Sequence, residues 1–222
     1  MPLDASADIV ITGFGRAPAF AHGKVRDIRI RWALEEIGRP YRTKLFDAMT
    51  PRDEEYREWQ PFGQVPAFDD GKVRLFESGA ILLYLGEQDE RLLPRQPQAR
   101  GDATSWLIAA LNSVEPMLMQ IVMLDMFQKD KPWAKEARPA AVEFAQQRLG
   151  SVAKALGDKE WLAGSFSVAD IMMVTVLRNL LHTDIVAGFP TLAAYQARGE
   201  ARPAFRQALT DQIAGFAQGE PA

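Results

Sequence analysis

The 222-residue sequence contains no cysteine. This absence excludes disulfide bonds, metal sites built on thiolates and every mechanism in which the protein itself supplies a thiol nucleophile. Histidine is also scarce, and neither His22 nor His182 has the company of other candidate metal ligands in the sequence. We therefore predict that the protein holds no metal ion and that both histidines are incidental to its chemistry.

The sequence has neither a strong excess of charge of one sign nor a long apolar run. Its 26 basic and 29 acidic residues give a net charge of −3, which does not favour binding to nucleic acid or to an anionic membrane. No apolar run reaches the roughly 18 residues of a spanning helix, and Met1–Asp4 lacks the basic and apolar regions of a signal peptide. We therefore expect a cytoplasmic protein with no nucleic-acid or membrane partner.

The first 88 residues alternate between strand and helix patterns. Asp8–Thr12 is β-branched and apolar, which predicts a buried strand, and the glycines and proline of residues 13–24 predict a loop after it. Val25–Ile37 has apolar residues at helical spacing and ends at Gly38. The remaining predicted elements are a strand at Tyr41–Phe46, a short helix near Arg52–Trp59, strands at Val65–Pro66 and Lys72–Phe76, and a helix at Gly79–Glu87. The predicted order is β-α-β-α-β-β-α, an α/β domain over residues 1–88.

Strand patterns stop after residue 88. Residues 89–97 contain two prolines and several charges, which predicts a linker. Pro116 is expected to bend the first helix beyond it, and Ser167 with Asp170 forms a capping-box pattern. The predicted helices are Asp102–Phe127, Ala137–Leu156, Ile171–Leu181 and two segments that open at Phe189 and Arg202. We therefore predict an all-helical second domain over residues 98–222.

The most informative stretch is Gln64–Phe68, where a strand pattern runs through a proline. Proline cannot donate to a sheet ladder, so we predict that the Val65–Pro66 bond is cis and that Val65 turns its backbone N–H and C=O outward. An extended peptide could pair with those groups. Glu77–Ser78 follows at the start of a helix, whose free N–H groups suit a carboxylate, while Glu77 could hold an ammonium. Together these features predict a site for a small peptide.

Three motifs of the sequence resemble those of the cytosolic glutathione S-transferases. Arg29–Gly38 is similar to the first helix of that family, Gln60–Phe68 with Glu77–Leu85 resembles its glutathione-site signature, and Gly164–Asp170 resembles its C-domain capping motif. The resemblance covers nearly the whole chain. It implies the glutathione S-transferase fold, in which a thioredoxin-like α/β N-terminal domain precedes an all-α C-terminal domain. It also implies a homodimer, with glutathione (γ-Glu-Cys-Gly) as cosubstrate.

The resemblance further implies roles for the residues that match the glutathione-site signature. Val65 pairs its backbone with the cysteinyl part of glutathione, Pro66 is the cis-proline, and Gln64 lies near the glycyl end. Glu77 and Ser78 hold the γ-glutamyl amine and carboxylate. Simpler interpretations stay open, because Ser78 alone also fits a helix N-cap and a Val–Pro pair alone also fits an edge strand.

The usual catalytic residue of that family is missing. The resemblance implies a Tyr, Ser or Cys just after the first strand or at the start of the first helix, but none occurs between Gly13 and Ile28. Phe14 lies near the usual tyrosine position and has no hydroxyl. Thr12 has a hydroxyl, yet a β-branched residue in a buried strand more often belongs to the core.

The thiolate of glutathione could be stabilised without such a residue. Helix N-termini and nearby cations lower thiol pKa values, and the first predicted helix starts near Val25 with cations around it. We therefore predict that backbone N–H groups at this helix start, with Arg26, Lys24 and Arg16, stabilise the thiolate. The alternative is that these cations are solvated loop residues.

We expect the second substrate to lie between the two domains. Four of the eight methionines fall within ten residues of the long predicted helix, and methionine adapts to varied apolar shapes. The predicted electrophile pocket comprises Phe14, Trp106, Met117 and Met123, although such residues also fill helix cores. The sequence thus predicts a glutathione transferase that conjugates glutathione to small hydrophobic electrophiles in detoxification. The alternative is a non-catalytic protein of the same fold that binds ligands or partners.

Overall fold

The structure is a computed structural model that describes residues 2–217. The chain divides into two compact units, one formed by the chain up to Leu93 with the C-terminal segment from Ala201, the other by Pro94–Glu200. The strands are β1 (Val10–Arg16), β2 (Arg42–Asp47), β3 (Ala67–Asp69) and β4 (Arg74–Phe76). The helices are α1 (Asp27–Ile37), α2 (Glu54–Trp59), α3 (Ser78–Gln88), α4 (Pro97–Ala109), α5 (Glu115–Val122), α6 (Pro132–Leu156), α7 (Val168–Leu177), α8 (Pro190–Glu200) and α9 (Pro203–Ala217).

The first unit is built on a mixed four-stranded sheet with the strand order β2-β1-β3-β4. β1 is parallel to β2 and antiparallel to β3, and β3 is antiparallel to β4. α1 connects the two parallel strands and buries Ile30, Trp32 and Leu34 completely. The predicted order β-α-β-α-β-β-α and the thioredoxin-like α/β fold of the N-terminal domain are confirmed.

All four strands differ in extent from the prediction, β2 and β4 by one or two residues and β1 and β3 by more. β1 continues to Arg16, where we predicted a loop, because its C-terminal half pairs with β2. The predicted strand at Val65–Pro66 starts instead at Ala67, since a proline has no N–H to contribute to the ladder. Both of the larger errors arise because the ends of a strand depend on pairing across the sheet. A local pattern of glycines or prolines gives no information about that pairing.

The last helix packs with the first unit. α9 contacts α1 and β1, and Gln212 Nε2 donates to the Val25 carbonyl oxygen at 3.0 Å and to Asp27 Oδ1 at 2.5 Å. The Arg202 guanidinium donates to both carboxylate oxygens of Glu36, at 2.6 and 2.8 Å. The compact unit therefore includes α9, although the sequence predicts that all of residues 98–222 belong to the second domain.

Part of the predicted linker at residues 89–97 also packs with the first unit. Leu92 and Leu93 are fully buried. The Arg91 guanidinium donates to the carbonyl oxygens of Glu36 and Ile37, at 3.2 and 3.1 Å. These bonds satisfy carbonyl groups at the C-terminal end of α1, which have no partner within the helix.

The second unit opens with a long helical run, Pro97–Phe127. It comprises α4, a π-helical turn at Ala110–Val114, α5 and a second π-helical turn at Met123–Phe127. The first π turn ends two residues before Pro116, whose ring lacks the N–H that a regular helix would use. The predicted bend at this proline stays a prediction.

By length and composition alone, this run could also cross a membrane. Its buried residues recur at helical spacing, as the fully buried Leu107, Ala110 and Leu118 show. α4 contacts α7, and α5 contacts α6 and α7. These contacts place the run among the packed helices of the second unit.

The N-terminus of α7 carries the predicted capping box. The Asp170 carboxylate accepts from the Ser167 N–H at 3.0 Å, and Ser167 Oγ accepts from the Ala169 N–H at 3.3 Å. Asp170 also accepts from the Leu162 N–H and the Tyr195 hydroxyl. Burial raises the pKa of Asp170 to about 6, although these hydrogen bonds act in the opposite direction. Residues 94–200, all of them described, contain no strand, as predicted for an all-helical domain.

Candidate functional site

The peptide bond between Val65 and Pro66 is cis, as predicted. Both residues are buried, and within residues 2–217 neither the N–H nor the C=O of Val65 has a hydrogen-bond partner. The ladder between β3 and β4 pairs Ala67 with Phe76 and ends there. The chain at Val65 therefore offers one donor and one acceptor to an extended peptide.

The start of α3 lies at the same end of this ladder. Because the antiparallel register pairs Ala67 with Phe76, the residues before Ala67 lie beside those after Phe76. α3 begins at Ser78, directly after Glu77, which has a φ of 68°. Such a φ is uncommon for residues other than glycine and clusters at functional sites. The unpaired backbone of Val65 and the N-terminus of α3 are thus neighbours, as a peptide site requires.

The Ser78 hydroxyl has a specific partner. Arg29 Nη1 donates to Ser78 Oγ at 3.0 Å, and Ser78 and Arg29 are only 3% and 1% exposed. Glu77 occupies the N-cap of α3, and no side-chain hydrogen bond caps the helix. The simpler interpretation of Ser78 as a helix N-cap is therefore wrong.

A chain of hydrogen bonds holds the backbone on both sides of the cis-proline. The Ala67 N–H donates to Thr12 Oγ1 at 2.7 Å, and the Tyr56 hydroxyl donates to the Gln64 carbonyl oxygen at 2.6 Å. The two hydroxyl oxygens of Thr12 and Tyr56 are 2.8 Å apart. Because the Tyr56 proton is used toward Gln64, Thr12 must donate its own proton to Tyr56. Thr12 is fully buried, as its interpretation as a core residue predicted.

Sequence reasoning missed both Tyr56 and Arg29. Tyr56 lies 44 residues from Thr12, and Arg29 lies 49 residues from Ser78. A tyrosine in a short polar helix and an arginine inside an amphipathic helix each read as ordinary surface residues. No local pattern indicates that either side chain is buried.

The three cations predicted to stabilise the thiolate follow β1 or precede α1. Arg26 is the N-cap residue of α1, Lys24 lies in the turn before it, and both are half-buried. Arg16 ends β1, where its Nη1 lies 3.5 Å from Asp47 Oδ2 and its side chain is 59% exposed. An exposed ion pair of this kind contributes little. The assignment of the three residues to catalysis stays a prediction.

α1 starts at Asp27, two residues later than predicted. The buried Asp27 carboxylate accepts from Arg31 Nε at 2.7 Å and from Gln212 Nε2 at 2.5 Å. Burial raises the pKa of Asp27, although Arg31 and Gln212 act in the opposite direction. The N–H groups of Ile28 and Arg29 already donate to carbonyl oxygens of the preceding turn. A thiolate at this helix start therefore cannot use those two N–H groups.

The residues predicted to line the electrophile pocket belong to both units. In the first unit, Phe14 is half-buried on β1, and the Arg52 guanidinium carbon lies 5.5 Å from its ring centroid. In the second unit, Trp106 and Met117 are half-buried, and Met123 is 42% exposed. Partial burial is compatible both with lining a pocket and with packing inside one unit. Their joint role as a pocket stays a prediction.

The two histidines have partners of their own. The His22 ring stacks on Phe216 with a centroid separation of 4.1 Å, and His182 Nε2 lies 3.1 Å from Asp125 Oδ2. Across residues 2–217, no three His, Asp or Glu side chains are grouped as metal ligands.

Comparison with known proteins of similar sequence identifies the family of this chain. The family model of the glutathione S-transferase N-terminal domain matches residues 19–87, and that of the C-terminal domain matches residues 116–211. Glutathione S-transferase F10 of Arabidopsis thaliana is 33% identical over 168 residues, which cover 70% of this chain and 74% of that relative. The chain belongs to the glutathione S-transferase family.

Two more relatives bear on the site. Disulfide-bond oxidoreductase YfcG of Escherichia coli (strain K12) is 33% identical over 168 residues, which cover 70% of this chain and 75% of that relative. A glutathione transferase family member from Pseudomonas fluorescens pf-5, solved with two glutathione bound, is 28% identical with a TM-score of 0.79. The alignment with that structure covers 90% of this chain and 92% of the other. The predicted glutathione S-transferase fold is confirmed, and a homologous structure binds glutathione.

Proposed function

We propose that this glutathione S-transferase conjugates glutathione to small hydrophobic electrophiles. The observation that carries the proposal is the unpaired backbone of Val65 beside the N-terminus of α3. Glutathione laid along this edge would use both Val65 groups in strand addition. Its γ-glutamyl carboxylate would lie at Ser78 and the positive end of the helix, with its ammonium at the exposed Glu77. Gln64 would lie toward the glycyl end.

Conjugation requires the glutathione sulfur as a thiolate. A free thiol with a pKa of ~8.5 is only a few per cent ionised at neutral pH. In our proposal Arg26 and Lys24, with a smaller contribution from Arg16, stabilise the thiolate near the start of α1. The thiolate attacks an electrophilic carbon, the C–S bond forms as the bond to the leaving group breaks, and the leaving group departs with the electron pair. Holding both reactants together removes much of the entropic barrier.

Glutathione-dependent turnover of an activated chloroarene tests this proposal. Ser78→Ala should raise the KM for glutathione about tenfold or more, because a hydrogen bond to a charged carboxylate is lost. Ser151→Ala is a matched control, since Ser151 is exposed and donates to a carbonyl oxygen of its own helix. Saturable turnover that only the Ser78 variant impairs supports the proposal. Glutathione binding without turnover of any electrophile would favour the non-catalytic alternative.

The proposed function includes a homodimer that acts in detoxification in the cytoplasm. An exposed aromatic pair supports self-association: Phe62 and Phe76 are 66% and 37% exposed, with ring centroids 6.3 Å apart. Aromatic residues are enriched in protein interfaces. Sedimentation equilibrium should give twice the mass of the chain, and Phe62→Ala should shift the equilibrium toward the monomer. A native protein that sediments as a monomer at every concentration would contradict the dimer.

A second candidate reaction is glutathione-dependent disulfide exchange. It is supported by the similarity to Disulfide-bond oxidoreductase YfcG and to a relative solved with two glutathione bound. Since the chain has no cysteine, the bound glutathione thiolate would itself attack one sulfur of the disulfide. A new S–S bond forms, and the other sulfur leaves as a thiolate that takes up a proton. Rates with hydroxyethyl disulfide and with the chloroarene, measured on one preparation, discriminate between the two reactions.

A further inference from the structure

Arg29 is a buried cation that contacts Ser78 of the proposed ligand site from the protein interior. It belongs to α1, is 1% exposed, and donates from Nη1 to Ser78 Oγ at 3.0 Å. Burial of a guanidinium is costly unless hydrogen bonds and nearby polar groups compensate for the lost water. The hydrogen bond between Arg29 and Ser78 links α1 to the residue that starts α3 in the proposed site.

The Arg29 hydrogen bond determines where the Ser78 proton can go. A guanidinium has only donors, so Ser78 Oγ must be the acceptor. Within residues 2–217, no acceptor is found for the hydroxyl proton of Ser78. The Ser78 hydroxyl can therefore donate its proton to a bound ligand. A carboxylate would accept this hydrogen bond, and the N-terminus of α3 also favours a negatively charged group.

The positive charge of Arg29 also favours a carboxylate as the ligand group at Ser78. Its guanidinium is always protonated, and a buried charge is only weakly screened by salt. The other buried arginine of α1, Arg31, is paired with the Asp27 carboxylate at 2.7 Å. Arg31 thus neutralises an acid of its own helix, and Arg29 donates to a hydroxyl of the proposed site.

We propose that Arg29 is a positioning residue of the glutathione site. It orients the Ser78 hydroxyl as a donor to the γ-glutamyl carboxylate and places a buried positive charge behind that hydroxyl. The inference rests on the proposed function and deepens it, because it explains how the site selects peptides with a free carboxylate at the γ-glutamyl end.

Two ligands separate this role from a structural one. γ-Aminobutyryl-cysteinylglycine lacks only the γ-glutamyl carboxylate of glutathione, so the ratio of its Kd to that of glutathione measures carboxylate recognition. Calorimetry on the full chain gives both constants. In Arg29→Met we expect the affinity for glutathione to fall about 10- to 100-fold, and that for the analogue to change less than about threefold. Adding Ser78→Ala to Arg29→Met should weaken glutathione binding only slightly further, because Arg29 acts through Ser78.

The outcomes separate this inference from the proposed function. If the native chain binds glutathione and Arg29→Met keeps the native ratio of the two Kd values, the role of Arg29 is overturned while the proposed function stands. If the native chain does not bind glutathione, the proposed function itself fails. Should Arg29→Met not fold, Arg29→Lys decides: lysine keeps the charge without the planar fork, so the ratio should fall at least about threefold. An unchanged ratio in that variant overturns the inference.

Discussion

Replacing Thr12 by valine removes one hydroxyl from the hydrogen-bond chain behind the cis-proline. Valine has nearly the same shape but can neither accept from the Ala67 N–H nor donate to the Tyr56 hydroxyl. Ala67 and Tyr56 are buried, and a buried polar group left unpaired costs about 1–3 kcal/mol. Because the two losses share one network, we expect Thr12→Val to lower the free energy of unfolding by about 2–4 kcal/mol.

Two other variants calibrate that figure. Tyr56→Phe keeps the ring packing and removes both hydrogen bonds of the hydroxyl, to the Gln64 carbonyl oxygen and from Thr12, so it should cost about 1–3 kcal/mol. Thr210→Val is the control, since the Thr210 hydroxyl donates to the Arg206 carbonyl oxygen one turn earlier in α9, at 2.9 Å. That carbonyl oxygen belongs to the helix backbone, so the control should change stability by about 1 kcal/mol or less.

Urea unfolding followed by tryptophan fluorescence provides the measurement, with glutathione affinity as a second readout. Thr12→Val should also weaken glutathione binding, because the backbone at Gln64 and Ala67 loses its support on both sides of Val65. A loss of stability no larger than that of Thr210→Val would refute the reasoning. Equal stability with native affinity would show that the network does not hold the site.

Three further predictions concern the packing around α1 and the cap of α7. Burial, assisted by the Asp211 carboxylate, raises the pKa of Glu35 from its usual 4.5 to about 7, so stability should fall as the pH rises through this window. Glu35→Gln should remove that decline and be the more stable form above about pH 7 in urea unfolding; parallel pH profiles for the two proteins would contradict this. Gly13→Ala would place a Cβ 2.7 Å from Asp27 Oδ2 and should cost about 1–3 kcal/mol, whereas an unchanged urea midpoint would show that Asp27 can move. Ser167→Ala removes the cap of α7 and should cost about 1 kcal/mol in the same assay; a loss below a few tenths would argue against the cap.

Features with local signals could be predicted from the sequence. Proline and glycine affect the backbone conformation within a residue or two of themselves, so the cis bond at Val65–Pro66 could be predicted. The capping box at Ser167 and Asp170 could be predicted because it depends only on a local spacing of three residues. The alternation of strands and helices followed from apolar periodicity.

Features that depend on distant contacts could not be predicted. β1 runs on to Arg16 because β2 lies beside it, although its glycines indicate a loop. α9 joins the first unit through Gln212 and through Arg202, which directly precedes the helix, and the partners of both residues lie in or beside α1. The burial of Arg29 against Ser78 is decided by how α1 and α3 pack. Each of these depends on contacts between residues far apart in the chain, which a single sequence does not display.

The central claim is that this chain binds glutathione and holds its sulfur as a thiolate. Ultraviolet difference absorption of the protein, titrated with glutathione from about pH 5 to pH 9, measures both properties at once. We predict a saturable thiolate signal with a midpoint well below the ~8.5 of a free thiol, and a higher midpoint in Arg26→Ala. A titration that shows no saturable binding at any pH would contradict the account.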